Sequence, residues 1–404
     1  TDMEKIGLAV NYASGVKSDC LVHFESTKSG GIQIEINSKV KAMFGISMEK
    51  LANEILDYFG IENAILKIDD TGAVEFVLAA RIEAAIKKVI PSNNEFPLEM
   101  LDENKTATKK DDFRFSRLYL PGNTPKLMLN AGIHKPNALI LDLEDAVAPN
   151  KKDEARFVVR NALRGLDFHG AERMVRINQI PNGLDDLEFI VPHFVNLILI
   201  PKCESAKDII SVNQRIDKIK KREKLNHDIW LMPIIESAKG VMNAYEIVKA
   251  ADNISSMAIG LEDYTADIGT LRTKSGTESL FARNMIVTAS IAAGVQPIDS
   301  VFSDISDMKG LAENVKVSKN LGFSGMGCIH PRQIRVIHEN FAPDNLEIEK
   351  AKGIVIAFND AKKKGLGVVS MGSKMIDAPV VKRALNTITA AINTGKLQAD
   401  WMDN

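Results

Sequence analysis

Two carboxylates raise the first chemical question: Glu236 in "PIIES" and Asp263 in "GLED", 27 residues apart with one helical stretch between them. If they close neighbouring strands of a parallel sheet, those strands run about 4.8 Å apart. Carboxylates that close repel each other unless a cation joins them. Mg²⁺ suits the gap, because it takes oxygen ligands at about 2.0–2.1 Å and keeps positions open for substrate. Seven scattered histidines without an HxxxH spacing argue against zinc. Arg176 in "MVRIN" ends another apolar run and offers a planar fork suited to a carboxylate. Lys202, after "LILIP", is a second cationic substrate contact or else a Schiff-base lysine, and Asn123, after "RLYLPG", is a polar substrate contact. The set reads as magnesium plus an oxyanionic substrate.

The elements that must position these residues are eight short apolar runs separated by helical stretches. They are "RLYLPG" (117–122), "ALILDLED" (138–145), "RMVRIN" (173–178), "LILIPK" (197–202), "WLMPIIES" (230–237), "SMAIGLED" (256–263), "VQPIDS" (295–300) and "FSGMGCIHP" (323–331). Eight such units in about 220 residues predict a TIM (β/α)₈ barrel, whose C-terminal strand ends share one face. Nearly every run ends in a polar residue: Asn123, the cluster Asp142/Glu144/Asp145, Arg176, Lys202, Glu236, Asp263, Asp299 and His330. Asp and Asn there are also ordinary helix caps. Glu, Arg and Lys are poor caps, so their recurrence points to a site.

Upstream, residues 1–90 form a separate small α+β unit. "CLVHFES" and "GIQIEINS" alternate apolar and polar residues around "TKSGG" and predict a hairpin; "SMEKLANEILDYFG" predicts a helix that stops at Gly60. "AILKIDD" and "AVEFVLAA" around "TG" predict a second hairpin, followed by the helix "RIEAAIKKVI". Residues 91–116, with two prolines and mixed charge, predict a linker to the barrel domain and C-terminal helical extension at 117–404. A formal charge of −2 argues against nucleic-acid or membrane-surface binding driven by bulk charge. Three cysteines (Cys20, Cys203, Cys328), no CxxC pair, no long apolar segment and no signal-like start predict a cytoplasmic protein.

The motifs "RLYLPGNTPKLM", "LILDLEDAV", "VRIN", "LIPKCES", "PIIESAKGV", "GLEDYTADIG", "CIHPRQI" and "KMIDAPVV" resemble, in this order, the citrate lyase beta-chain family. Residues 3–90, with "NYASGVKSD" at 11–19, resemble the citrate lyase gamma chain, an acyl carrier protein. The resemblance implies a gamma–beta fusion. It places Mg²⁺ on Glu236 and Asp263 and a substrate carboxylate on Arg176. It also makes Asp377 an acid–base group reaching a neighbouring subunit's site. Ser14, rather than Ser18, becomes the attachment point for 2'-(5''-triphosphoribosyl)-3'-dephospho-CoA. The implied reaction cleaves a citryl thioester to oxaloacetate and an acetyl thioester. The implied partners are the alpha chain, an acyl transferase, and further copies of this chain packed through the barrel. Three other readings stand beside this one. They are a citramalyl- or malyl-thioester lyase, a free-acid pyruvate aldolase needing no carrier, and a non-catalytic carrier scaffold.

Overall fold

The computed structural model describes residues 6–9 and 16–403. Its first unit contains β1 (Ile6–Ala9), β2 (Cys20–Ser26), β3 (Ile32–Ser38), α1 (Lys41–Tyr58), β4 (Ala64–Asp70) and α2 (Glu75–Val89). The strands form one sheet in the order β1-β2-β4-β3. Burial alternates along β2 and β4, so Val22, Phe24, Leu66 and Ile68 share the core with α1 and α2. Gly60 ends α1 with φ +67, the left-handed conformation that glycine adopts freely.

Both hairpins expected from the sequence are absent. β2 and β3 are not neighbours, because β4 lies between them, antiparallel to β2 and parallel to β3. The second hairpin is a strand followed by a helix. Gly72 turns the chain at φ +93, and Asp70 Oδ1 accepts from the backbone N–H groups of Gly72 and Ala73. The chain then enters α2 instead of returning as a strand. "AVEFVLAA" looked like a buried strand because α2 has almost no polar face. From Phe76 to Ile86 every residue is buried, between its own sheet and the barrel helix Lys152–Gly165.

All eight expected barrel strands are present. They are β5 (Ser116–Pro121), β6 (Ala138–Asp142), β7 (Glu172–Arg176), β8 (Leu197–Ile200), β9 (Trp230–Ile235), β10 (Ser256–Ile259), β11 (Gln296–Asp299) and β12 (Gly325–Cys328). They close into a parallel barrel, β12 pairing with β5. Met174, Leu199, Met232, Ile234 and Ile298 fill its interior, and a larger apolar layer joins the strands to the helices.

The segment before the barrel is packed against it. Asn104 donates to the carbonyls of Leu163 and Leu166. The backbone carbonyls of Thr106 and Thr108 accept from Asn196 and Trp230, and Arg114 forms a two-point pair with Glu172 at 2.8 and 2.9 Å. These contacts lie at the N-terminal ends of the strands, so the segment covers the end opposite the expected site. Beyond the barrel, the helices Asn345–Lys363 and Ala378–Asn393 build a separate apolar cluster with a short two-stranded ribbon. Among the described residues, no helix is long and apolar enough to cross a membrane.

Candidate active site

A cavity of about 750 Å³ opens at the C-terminal ends of the barrel strands, lined by Arg117, Tyr119, Asp142, Arg176, Glu236 and Asp263 among others. Register explains the meeting. Asp142 ends β6 opposite Arg176 on β7, and Ile235 pairs with Ile259, so Glu236 follows beside Gly260. Glycine at 260 leaves room for the Glu236 side chain: a Cβ there would lie 2.7 Å from Glu236 Cγ and 2.9 Å from its Oε1 and would displace the carboxylate. The chain then turns into the short helix Leu261–Asp267, whose first amide donates to Ser300 Oγ. Asp263 therefore sits on the first turn of that helix rather than at the strand end.

Arg176 is fixed before any substrate arrives. Its Nε and Nη2 donate to Asp142 at 2.7 and 2.6 Å, Nη1 lies 3.0 Å from Glu144, and the guanidinium covers the Tyr119 ring at 5.0 Å. Burial disfavours its charge, yet hydrogen bonding and attraction from Asp142 hold its pKa above the ordinary value. Lys202 donates to Glu144 at 2.7 Å, and despite partial burial Glu144 and Asp145 raise its pKa. A lysine held so firmly protonated is a poor Schiff-base nucleophile.

Glu236 is the exception in this ring. Burial pushes its pKa up to about 8, and the nearby Glu144 and Asp263 push in the same direction. Its Oε2 is buried without a hydrogen-bond partner among the described residues. A buried carboxylate oxygen without a donor, beside a second carboxylate, is the environment a hard cation relieves. Among the described residues, no three His, Cys, Asp or Glu groups stand together as a metal cluster. Two carboxylates alone suit Mg²⁺, which commonly keeps several waters, better than zinc.

The other expected site residues lie elsewhere. Asn123 is buried and accepts from Arg81 Nη1 at 2.8 Å; neither it nor Lys202 lines the cavity. Asp377 caps the helix Ala378–Asn393, accepting from the Val380 amide at 3.2 Å, and is likewise absent from the lining. Ser14 lies outside the described residues. The root of the segment that follows it is anchored, because Ser18 N–H donates to Thr71 O and Asp19 pairs with Arg81. Arg81 links that root to Asn123, which follows β5 at the cavity end of the barrel. Arg117 and Tyr119 were missed from the sequence. Their only signal was polar character at alternate positions of an otherwise apolar strand.

A closed (β/α)₈ barrel with acids and a guanidinium around a cavity at its C-terminal end is a TIM-barrel enzyme. The family model for HpcH/HpaI aldolase/citrate lyase matches residues 116–331, and that for malonate decarboxylase delta subunit (MdcD) matches residues 14–89. The citrate lyase subunit beta of Leuconostoc mesenteroides subsp. cremoris is 38% identical over 281 residues, which is 69% of this chain and 93% of that protein. Human mitochondrial citramalyl-CoA lyase is 34% identical over 286 residues, 68% of this chain and 84% of that protein. The solved structure of CitE from Mycobacterium tuberculosis with magnesium, acetoacetate and coenzyme A is also similar. It has a TM-score of 0.58 at 27% identity and covers 70% of this chain and 99% of that one. The chain belongs to the HpcH/HpaI aldolase/citrate lyase family. It is a carbon–carbon lyase with an acyl-carrier-like domain in front of its barrel, the arrangement of a gamma–beta fusion.

Proposed function

We propose that this chain cleaves a carrier-bound citryl thioester to oxaloacetate and an acetyl thioester in a magnesium-dependent reaction. Residues 1–90 act as carrier, 91–116 as connection and 117–404 as lyase. The observation that carries the reading is the buried, partnerless oxygen of Glu236 beside Asp263, in the cavity that Arg176 enters. These two carboxylates would hold the ion. When bound, Mg²⁺ supplies a Lewis acid for the substrate's hydroxyl and adjacent carboxylate. Arg176, immobilised by Asp142, orients the substrate without reorganising. Lys202 acts on the substrate through these partners: it donates to Glu144, whose other oxygen lies 3.0 Å from Arg176 and helps to hold that guanidinium in place.

In the reaction the hydroxyl loses its proton and becomes a ketone as the bond to the thioester's methylene breaks. The electron pair leaves on the acetyl thioester as an enolate, which then takes a proton. Asp377 of a neighbouring copy is the proposed proton carrier, which requires a homo-oligomer. The substrate arrives on a 2'-(5''-triphosphoribosyl)-3'-dephospho-CoA arm at Ser14. The anchored residues Ser18 and Asp19, joined through Arg81 to Asn123, support delivery from that side of the mouth. An acyl-transferring alpha chain would reload the arm, and three free, buried cysteines fit a reducing cytoplasm. A citramalyl thioester is the second reading, favoured by the likeness to the human citramalyl-CoA lyase.

Chelation should abolish cleavage of citryl-coenzyme A, and added Mg²⁺ should restore it. Glu236→Gln and Asp263→Asn should each lose calorimetric Mg²⁺ binding and lower kcat/KM by about 100-fold or more while remaining folded. Full activity in excess chelator would reject the metal. Peptide mass spectrometry of protein from its own host should find the phosphate-containing adduct on Ser14; active protein unmodified there rejects the arm.

A further inference from the structure

Arg117 is 1% exposed and lies in the middle of β5, inside the barrel. Side chains alternate along a strand, so Arg117 and Tyr119 point the same way, toward the interior that Tyr119 helps to fill. Its register neighbours are Gly327 on β12 and Ala138 on β6, two small residues that leave lateral room for a long side chain. A Cβ at Gly327 would come within 2.9 Å of Val301 and 3.0 Å of Tyr119, so that space is shaped around them. The cavity reaches this depth, with Arg117, Ile234, Ala258 and Gly327 in its lining.

No acid compensates this guanidinium among the described residues. Its one hydrogen-bonding contact is Nη1 with the Met232 sulfur, and its Nε is buried without a partner. Tyr119 and Cys328 beside it are kept neutral at pH 7 by burial, and Glu172, a smaller influence, is occupied by Arg114. Burial pushes the Arg117 pKa down to about 10, which still leaves it charged at neutral pH. A buried, unpaired cation is unfavourable, and an apolar side chain would be more stable there. Position, lining and missing counter-charge together describe an anion site at the cavity floor.

We infer that Arg117 binds the terminal carboxylate of the substituent on the substrate's hydroxyl-bearing carbon, and so selects a tricarboxylic thioester over a methyl-bearing dicarboxylic one. This rests on the lyase reading and names its substrate class. The geometry follows from the strand. Tyr119, with Arg176 over its ring, lies two residues nearer the mouth, a rise of about 6.6 Å. A carboxylate beside the hydroxyl meets Arg176 at that upper level, where Glu236 and Asp263 would hold the ion. A second carboxylate, one methylene further on, extends down to Arg117. A methyl group in its place reaches no partner and leaves the guanidinium desolvated and unpaired, the situation in which a polar site rejects an analogue most strongly.

The test compares kcat/KM for citryl- and citramalyl-coenzyme A in the full chain with Mg²⁺, for wild type, Arg117→Met and Arg117→Lys. Wild type should favour the citryl thioester. Arg117→Met should lower the citryl-to-citramalyl ratio by about 100-fold or more, and Arg117→Lys should recover part of it. As a readout independent of turnover, oxaloacetate should raise the melting temperature of wild type more than pyruvate does, and Arg117→Met should remove that difference. A wild-type preference for citramalyl, or an unchanged ratio in Arg117→Met, overturns the inference. That includes the case in which both activities fall together, which would mark a purely structural arginine. A wild type that melts normally but cleaves neither thioester fails the lyase reading instead.

Discussion

Where α2 meets the barrel helix Lys152–Gly165, Arg81 is wholly buried and Arg160 is 1% exposed, comparable to the apolar core around them. Each has a carboxylate in front of it. Arg81 holds Asp19 at 3.0 and 2.9 Å and donates to Asn123, while Arg160 is bound to Glu83. At the cavity, Glu236 and Arg117 are buried to a similar depth, and each has a polar atom without a hydrogen-bond partner among the described residues. The same residue types thus serve opposite ends. Paired charges at the seam fix how the carrier domain sits on the barrel, and unpaired ones at the cavity are left for ligands to complete. Removing a charge should therefore weaken the first region and strengthen the second.

The largest effect is expected at the seam. Arg81→Met would leave Asp19, 2% exposed, as an uncompensated buried anion, which costs about 3–5 kcal/mol of unfolding free energy. The double variant Arg81→Met/Asp19→Asn removes both charges and should lose clearly less than the single one in urea titrations. If the double variant is as unstable as the single, the seam depends on shape rather than charge pairing, and the contrast with the cavity fails.

Glu236→Gln should have the opposite sign. A carboxyl raised to about 8 in the folded state ionises more easily unfolded, so wild type loses stability as pH rises from the ordinary glutamate value toward 8. Glutamine does not titrate. In chelator, the variant should be more stable than wild type by on the order of 3 kcal/mol at pH 8, with the gain largely gone near pH 5. A glutamine variant less stable than wild type at pH 8 would mean that this carboxylate supports the fold.

The barrel was legible because each strand is a local signal, an apolar run ending in a polar residue, and closure needs only the count. The positions of Glu236 and Arg176 at the cavity were legible for the same reason, whereas Asp263 reaches it from the first turn of the helix that follows its strand. Arg117 was not, because an arginine inside an apolar run becomes a floor residue only when the barrel closes and places Gly327 and Ala138 beside it. The errors in strand pairing fell in the carrier domain. There β4 enters between β2 and β3, a long-range choice, and α2 lacks the polar stripe by which a helix declares itself. Asn123 shows another limit: its position after β5 is that of a site residue, yet its side chain accepts from Arg81 across the seam.

The smallest effect expected separates a third kind of buried group at that seam. His193 is 7% exposed, with Nε2 3.0 Å from Glu95 and Nδ1 3.2 Å from Arg164 Nη1. Arg164 can only donate, so Nδ1 accepts, and the proton sits on Nε2, facing the carboxylate. Burial lowers the His193 pKa, the hydrogen bond and charge of Glu95 oppose this, and Arg160 and Arg164 add to the lowering. Charging the ring would set a proton on Nδ1 against an N–H that already points at it. The folded ring therefore stays neutral below pH 6.5, where the unfolded chain's histidine takes up a proton. Stability should then rise with pH through this window and be complete above it. The slope is bounded by one proton, about 1.4 kcal/mol per pH unit, and opposes the trend from Glu236. Measured in the Glu236→Gln background, urea unfolding should show stability falling from pH 7 to 5.5, and adding His193→Gln should flatten that fall. An equal slope with and without His193 would assign the acid sensitivity to other groups. It would leave the seam with paired charges alone.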